Sequence, residues 1–254
     1  MEVHHHTHAG HGKKSWKAYF WEFLMLFLAV FCGFFAEYQL EHKIDRDKEQ
    51  EYIHSMIEDA RTDTANIHRA IDFNVARVYK LDSLAMVCFN YGLSEKDDPI
   101  LNKLYRSCLR HPDFVSPTER TMTQLKNSGG MRLLRNKTAA DSILGYDDFA
   151  KKLIDQQGWC EEMLRKLVDQ CMPIFNFKYS SSLDPVTLKI SIPASYDSAR
   201  LIKNDKALLI ELGNRAIMYK NVVLFYLLLL HEGEKHAVNL MQTLRETYHI
   251  KVSE

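Results

Sequence analysis

The sequence predicts an all-α protein. An N-terminal transmembrane helix continues into a long helix, and an antiparallel helical bundle closes with a long C-terminal helix. Three observations carry this. Trp16 to Tyr38, WKAYFWEFLMLFLAVFCGFFAEY, is apolar and aromatic almost throughout. Phe34 to Tyr91 contains neither Gly nor Pro. Two stripes of apolar residues, stepping by three and four, lie in the two halves of the chain.

The first element is the span. A membrane-crossing helix needs about 20 mostly apolar residues, and Phe23 to Ala36 is uninterrupted, flanked by Trp16, Tyr19, Phe20 and Trp21 at one end and Tyr38 at the other. Such aromatic belts sit at headgroup level. No small-x-small cleavage site follows, which argues against a removed signal peptide. Phe31 precedes Cys32, which argues against a lipidated cysteine. The expected division is a His-rich cytoplasmic tail (1–15), the transmembrane helix (16–38) and a soluble helical bundle (39–254) with a charged stalk over 39–52.

Direction follows from basic residues near the span, because acids contribute little. Lys13, Lys14 and Lys17 precede it, and Lys43, Arg46 and Lys48 follow it. The counts tie, and the short basic tail tips the expectation toward a cytoplasmic N-terminus. The soluble domain then lies outside the cytoplasm, anchored in the inner (cell) membrane, and in the periplasm if the cell is Gram-negative. Ala29 and Gly33 form a small-xxx-small pair that lets two helices approach in lipid, so the lipid bilayer and a second copy, or a larger membrane complex, are the expected partners.

The second element, beyond the charged stalk, carries the stripe Ile53, Ile57, Ala60, Thr64, Ile67, Ile71, Asn74, Val78, Leu81, Ala85, Cys88. Alternating steps of four and three make a coiled-coil-like seam. A break is expected at Thr62-Asp63-Thr64. A short helix is expected from Pro99 to about Arg110. Ser116-Pro117-Thr118-Glu119 reads as a helix start, with Ser as N-cap and Pro at the first position. That helix should stop at Asn127-Ser128-Gly129-Gly130. Thr138 with Asp141 starts the next, which runs through Trp159 to Cys171 and ends before Pro173. Residues 174–200 read as irregular. VTLKISI (186–192) alternates like an edge strand, with no obvious partner. The last helix carries Leu208, Leu212, Ala216, Tyr219, Val223, Tyr226, Leu230, Gly233, Ala237, Leu240 and Leu244. FYLLLL (225–230) is too short to span a membrane and reads as core.

Composition narrows the function. Lys plus Arg and Asp plus Glu both number 33, which leaves no basic footprint for nucleic acid. No Gly-rich phosphate loop is present. The absence of CxxC removes zinc-ribbon and thioredoxin readings. Cys160 and Cys171 are too far apart on one helix to bridge. Cys88 and Cys108 have two readings, a disulfide between neighbouring helices or buried free thiols, and the second is preferred.

MEVHHH, then KKSWKAYFWEFLMLFLAVFCGFFAEYQLEH, then EYIHSMIEDARTDT resemble an uncharacterised family of small single-span membrane proteins of Gram-negative bacteria. QLKNSGGMRLLRN (124–136) followed by ILGYDDF is similar to the internal signature of such families. The resemblance implies that the His-rich start is native. It carries no catalytic residue and no cofactor.

Candidate chemistry is sparse. His4, His5, His6, His8 and His11 form a dense set of imidazoles able to take Ni(II), Cu(II) or Zn(II). HEGEKH (231–236) does not match HExxH, because His231 and His236 lie about 140° apart around a helix. Glu51 and His54 form one ExxH motif, where a di-iron bundle needs two. Arg110-His111-Pro112-Asp113 reads as a plain turn. Ser128, Gly129, Gly130, Arg132 and Arg135 mark a helix corner whose amides and guanidinium groups can attract an anion. No GxSxG nucleophile motif occurs. The expected function is a structural, accessory or scaffold protein and not an enzyme, with a small-ligand or metal sensor as the alternative.

Overall fold

The computed structural model describes residues 15–91, 98–179, 182–191, 200–203 and 205–250. The chain divides into two compact units, Met1–Glu51 and Tyr52–Glu254. Helix α1, Trp16–Asn90, contributes its first part to one unit and the remainder to the other.

In the first unit, α1 is long and apolar enough to cross a membrane, and none of its most apolar stretch is buried by protein. Phe23, Phe27, Phe31 and Phe35 follow at four-residue spacing. Their rings stack in sequence with centroids 6.2, 6.0 and 6.4 Å apart. At 100° per residue, Ala29 and Gly33 fall on the opposite side of the helix from this ladder. Nothing approaches within 4 Å of a Cβ built on Gly33.

The second unit is an all-α bundle. It comprises the rest of α1, then α2 (Asp98–Cys108), α3 (Arg120–Asn127), α4 (Lys137–Cys171) and α5 (Lys206–Tyr248). α5 runs antiparallel to α1. Phe89 lies against Gly213, Ile67 against Gly233, and Ile53 to Ala60 share a core with Ala237 to Leu244. The seam residues of α1 and α5 point inward as their spacing requires, with Ile53, Ile57, Ala60, Ile67, Leu81, Ala85 and Cys88 buried against Leu212, Ala216, Tyr219, Val223, Tyr226 and Leu230. Each fully buried Leu or Ile contributes roughly 1.5–3 kcal/mol relative to exposure. Gly233 admits another helix: a Cβ there would meet Phe149 of α4 at 2.9 Å.

Several expectations are corrected. α1 does not break at Thr62-Asp63-Thr64. The Thr62 and Thr64 hydroxyls donate back to the carbonyls of Glu58 and Ala60 at 2.9 and 2.8 Å, which satisfies them inside the helix. α3 begins at Arg120, later than the Ser-Pro signal implies, and its N-cap Glu119 makes no side-chain capping bond. α4 is capped by Asn136, whose side chain accepts from the Ala139 amide at 3.1 Å. The alternating segment does find a partner: β2 (Ile190–Ser191) pairs antiparallel with β1 (Ser182–Leu183). FYLLLL is core on one face only. Tyr226, Leu227 and Leu230 are buried, and Phe225 and Leu228 are exposed.

Candidate functional site

Eleven residues without regular structure, 109–119, connect α2 to α3. Backbone groups carried inward by such a segment need partners. α1 supplies them from one face. Asp59, Asp63, Asn74 and Arg77 are all buried, and each reaches this crossing segment or its flanks. The pairing runs in reverse order, so the segment is antiparallel to α1.

Asp59 accepts from Thr121 through its amide at 3.1 Å and its hydroxyl at 2.5 Å, and from Arg120 at 2.8 Å. Asp63 accepts from the Thr118 amide at 2.9 Å, the Thr118 hydroxyl at 2.7 Å and the Tyr146 hydroxyl at 2.7 Å. Thr121 lies in the first turn of α3, whose amides have no partner inside the helix. Asp59 therefore caps α3 from another helix, and its charge faces the positive end of the helix dipole. Further along, Asn74 donates to the Asp113 carbonyl at 2.9 Å. Arg77 donates to the carbonyls of Cys108 at 3.1 Å and Arg110 at 2.5 Å, and to the Tyr219 hydroxyl at 3.2 Å. A cation at the end of α2 complements its dipole. From the other side, Tyr226 accepts from the Val115 amide at 3.2 Å, and Gln157 donates to the Val115 carbonyl at 2.7 Å.

A groove of about 130 Å³ opens beside the Asp59–Asp63 clamp, between α1, α3 and α4. Met56, Pro117, Met122, Ala150 and Ile154 supply its apolar walls, and Lys126, Asp147 and Lys151 line it as well. Lys126 contacts both Asp147 oxygens, at 2.8 and 2.7 Å, and Lys151 contacts one at 2.7 Å. Burial pushes the Asp147 carboxyl up, and the two ammonium groups more than offset it, leaving it below the usual range. Burial, reinforced by the Asp63 carboxylate, pushes the Tyr146 phenol far up, so it stays a hydrogen-bond donor.

All five cysteines are free; Cys32 is exposed and the other four are buried. Burial raises the Cys88 and Cys160 thiols to about 12 and Cys108 to about 11. Such thiols are not nucleophilic at neutral pH. Asp98 ties three segments together. It stands in the first turn of α2, accepts from the Tyr91 hydroxyl at the end of α1, and accepts from the Leu201 amide at 3.1 Å.

The sequence-derived candidates distribute as follows. Ser128 and Gly129 form the turn that ends α3, and Gly130 and Arg132 lie in the short 3-10 helix that follows, Gly130–Leu133. Gly129 takes φ +69°, and the Ser128 amide and hydroxyl both donate to the Gln124 carbonyl, at 2.9 and 2.6 Å. Gly130 is tightly packed, with Tyr52 and Ser128 side-chain atoms 3.1 Å from a built Cβ. The Arg132 guanidinium folds back over Gly129, and Arg135 is exposed beyond the turn. His4, His5, His6, His8 and His11 lie outside the described residues. Among the described residues, no group of three His, Cys, Asp or Glu side chains is placed to hold a metal. His236 stacks on Phe149 with centroids 4.6 Å apart, and His68 lies 3.0 Å from Glu234. Asp113 of the His-Pro-Asp turn meets Arg69 at 3.2 Å, which pins the turn to α1.

The sequence marks none of Asp59, Asp63 and Arg77 as a site, and Asn74 only as a seam position. They carry a signal: Met56, Asp59, Asp63, Ile67, Ala70, Asn74, Arg77, Leu81, Leu84 and Cys88 step by three and four, a second inward stripe that shares Ile67, Asn74, Leu81 and Cys88 with the seam. Compared with known proteins, the chain matches no family model, no curated protein and no solved structure, so the family resemblance rests on the sequence alone.

Proposed function

We propose that this is a membrane-anchored interaction protein, a structural or accessory subunit rather than an enzyme. The observation that carries the reading is that these buried charges work inside the fold. Asp59, Asp63, Asp98 and Arg77 each bind backbone amides, carbonyls or hydroxyls of neighbouring segments. A bundle built this way presents a stiff surface, which suits a scaffold. In this reading the N-terminus is cytoplasmic and the bundle lies outside the cytoplasm, anchored in the inner membrane. Lys13, Lys14 and Lys17 before the span support that direction.

The test is crosslinking in native membranes from the chromosomal locus, followed by pull-down and mass spectrometry. A reproducible complex, homomeric or with other membrane proteins, is expected. A chain that crosslinks to nothing overturns the reading. A reporter fused after residue 250 checks direction: alkaline phosphatase activity is expected, and green fluorescence in its place reverses the topology.

The groove beside Tyr146 favours a second reading, a sensor that takes a small, largely apolar ligand and signals through a partner. Its test is thermal unfolding of the full chain against a panel of single-ring amines and carboxylates. A saturable rise in melting temperature, lost in Ala150→Trp, supports it. The metal form of the sensor reading predicts that deleting residues 2–12 abolishes tight Ni(II) or Zn(II) binding.

A further inference from the structure

α5 keeps one apolar face in solvent at the middle of the bundle. Met218, Leu224, Phe225 and Leu228 are 55%, 41%, 52% and 61% exposed. At 100° per residue they fall within a 120° stripe, opposite the buried Ala216, Tyr219, Val223 and Tyr226. Two flanking elements extend it. Lys220 reaches Asp82 of α1 at 2.5 Å, and one turn away on each helix stand Leu224 and Tyr79, the latter 70% exposed. On α4, Gln156 and Cys160 both approach the Val222 carbonyl, at 3.1 and 4.0 Å, and Trp159, 58% exposed, stands about 60° around the helix from Gln156. Six large apolar side chains thus share one side of the bundle, on three helices. Single exposed apolar residues are ordinary, but a contiguous patch is not.

Size and charge identify what fits it. Taking about 200 Å² for a fully exposed large side chain, the six present on the order of 650 Å². A standard stable interface takes about 800 Å² from each partner, so the patch with a polar rim is the right size for one protein partner. Its centre is electrically neutral. The polar residues within the α5 stripe are Asn214 and Asn221, and Lys220 beside it is paired with Asp82; Asp155, Glu162 and Glu232, one turn from Trp159 and Leu228, belong to the rim, where Glu162 is paired with Lys166. A centre without charge brings no like-charge repulsion when it meets itself across a two-fold axis, and the charged residues stay at the rim, where water screens them.

We infer that this face, centred on Phe225 and Leu228, is a homodimer interface whose occupant is the same face of a second copy of this chain. Confinement of every copy to a membrane raises the effective concentration and favours such pairing. The inference deepens the interaction reading above by naming the partner.

The experiment is site-directed crosslinking of the full chain in native membranes, in a background with Cys32 replaced by Ala. Residues near a two-fold axis meet their own copies, so Leu228→Cys is expected to give a disulfide-linked dimer under mild oxidation. Glu58→Cys, exposed on a different part of α1, is the control and should not. Leu228→Arg, at an exposed position the fold tolerates, should cut the yield of amine-crosslinked dimer by about tenfold or more. Its circular dichroism melt should match that of the parent. Crosslinks to a different protein through Leu228→Cys would overturn the second copy as occupant while leaving the interaction reading intact. Dimers formed through Gly33→Cys but not Leu228→Cys, and unaffected by Leu228→Arg, would likewise overturn the inference alone. A chain that crosslinks to nothing at either position, or to any other protein, overturns both.

Discussion

Replacing Asp63 by Ala tests the clamp that holds the crossing segment. Asp63 is fully buried and is the acceptor for three donors, the Thr118 amide, the Thr118 hydroxyl and the Tyr146 hydroxyl. A hydrogen bond to a charged group is worth roughly 1.5–3 kcal/mol, and a buried donor left without a partner costs about 1–3 kcal/mol. Thr118 and Tyr146 both line the groove, so water can reach part of what the substitution exposes. The expected loss is therefore about 3–4 kcal/mol, below the simple total. For a domain of this size, 1 kcal/mol moves the melting temperature by about 2–4 °C, which places the Ala variant about 10 °C below the parent. Asp63→Asn keeps an oxygen for Thr118 and should lose only about 1–2 kcal/mol. The assay is thermal unfolding of the full chain in detergent, followed by circular dichroism at neutral pH. Amide hydrogen exchange over residues 115–121 reports the local effect. An Ala variant melting within about 2 °C of the parent, with unchanged protection, would refute the clamp.

Three further outcomes follow from the same geometry. Stability should fall steeply in alkali. Unfolded thiols release their protons near 9.0, whereas native Cys88 and Cys160 hold theirs to about 12 and Cys108 to about 11. The unfolded state then binds fewer protons, so this contribution is intact below pH 9 and lost above it. Each group removes about 1.4 kcal/mol per pH unit, and the phenols of Tyr219 and Tyr226 join above about 10. An unchanged melting temperature between pH 8 and 10.5 would contradict this. Gly233→Ala should be more destabilising than Gly213→Ala in urea titrations, by about 1 kcal/mol. The new methyl at 233 meets Phe149, buried and stacked on His236, whereas at 213 it meets Phe89, which is partly exposed and free to swing out. Arg77→Met should lower stability by about 2–4 kcal/mol, because the carbonyls of Cys108 and Arg110 lose their buried donor. Parent-like chemical denaturation of that variant would remove Arg77 from the ladder.

The helices were legible in the sequence because periodicity reports burial directly. Ile53 to Cys88 and Leu208 to Leu244 repeat at three and four, and most positions of both stripes are buried in α1 and α5, with Thr64, Ile71, Val78 and Leu208 partly so. The stop at Asn127-Ser128-Gly129-Gly130 was legible because Gly129 occupies the left-handed region that follows a helix end. What stayed hidden depended on partners far along the chain. Nothing local to Glu119 tells that α3 waits until Arg120, because its cap comes from Asp59, 62 residues before Thr121. Thr62-Asp63-Thr64 looks like a breaker on local propensity, yet its hydroxyls turn back into the helix and its carboxylate finds Thr118. Apolar content alone marked FYLLLL as core, although a helix in a bundle buries only the side that meets its neighbours.

The reverse-order ladder on α1 has a consequence for how the chain is made. From Asp59 to Arg77 the rungs are spaced along about 27 Å of one helix. The segment they hold, 109–119, has no regular secondary structure of its own. It acquires a shape only by laying itself along a surface that already exists. α1 leaves the ribosome before that segment does, so a nascent chain carries its template ahead of the piece to be templated. A helix extended or shortened by one residue between Asp63 and Asn74 would turn the later rungs by 100°. The crossing segment would then be written against the wrong line.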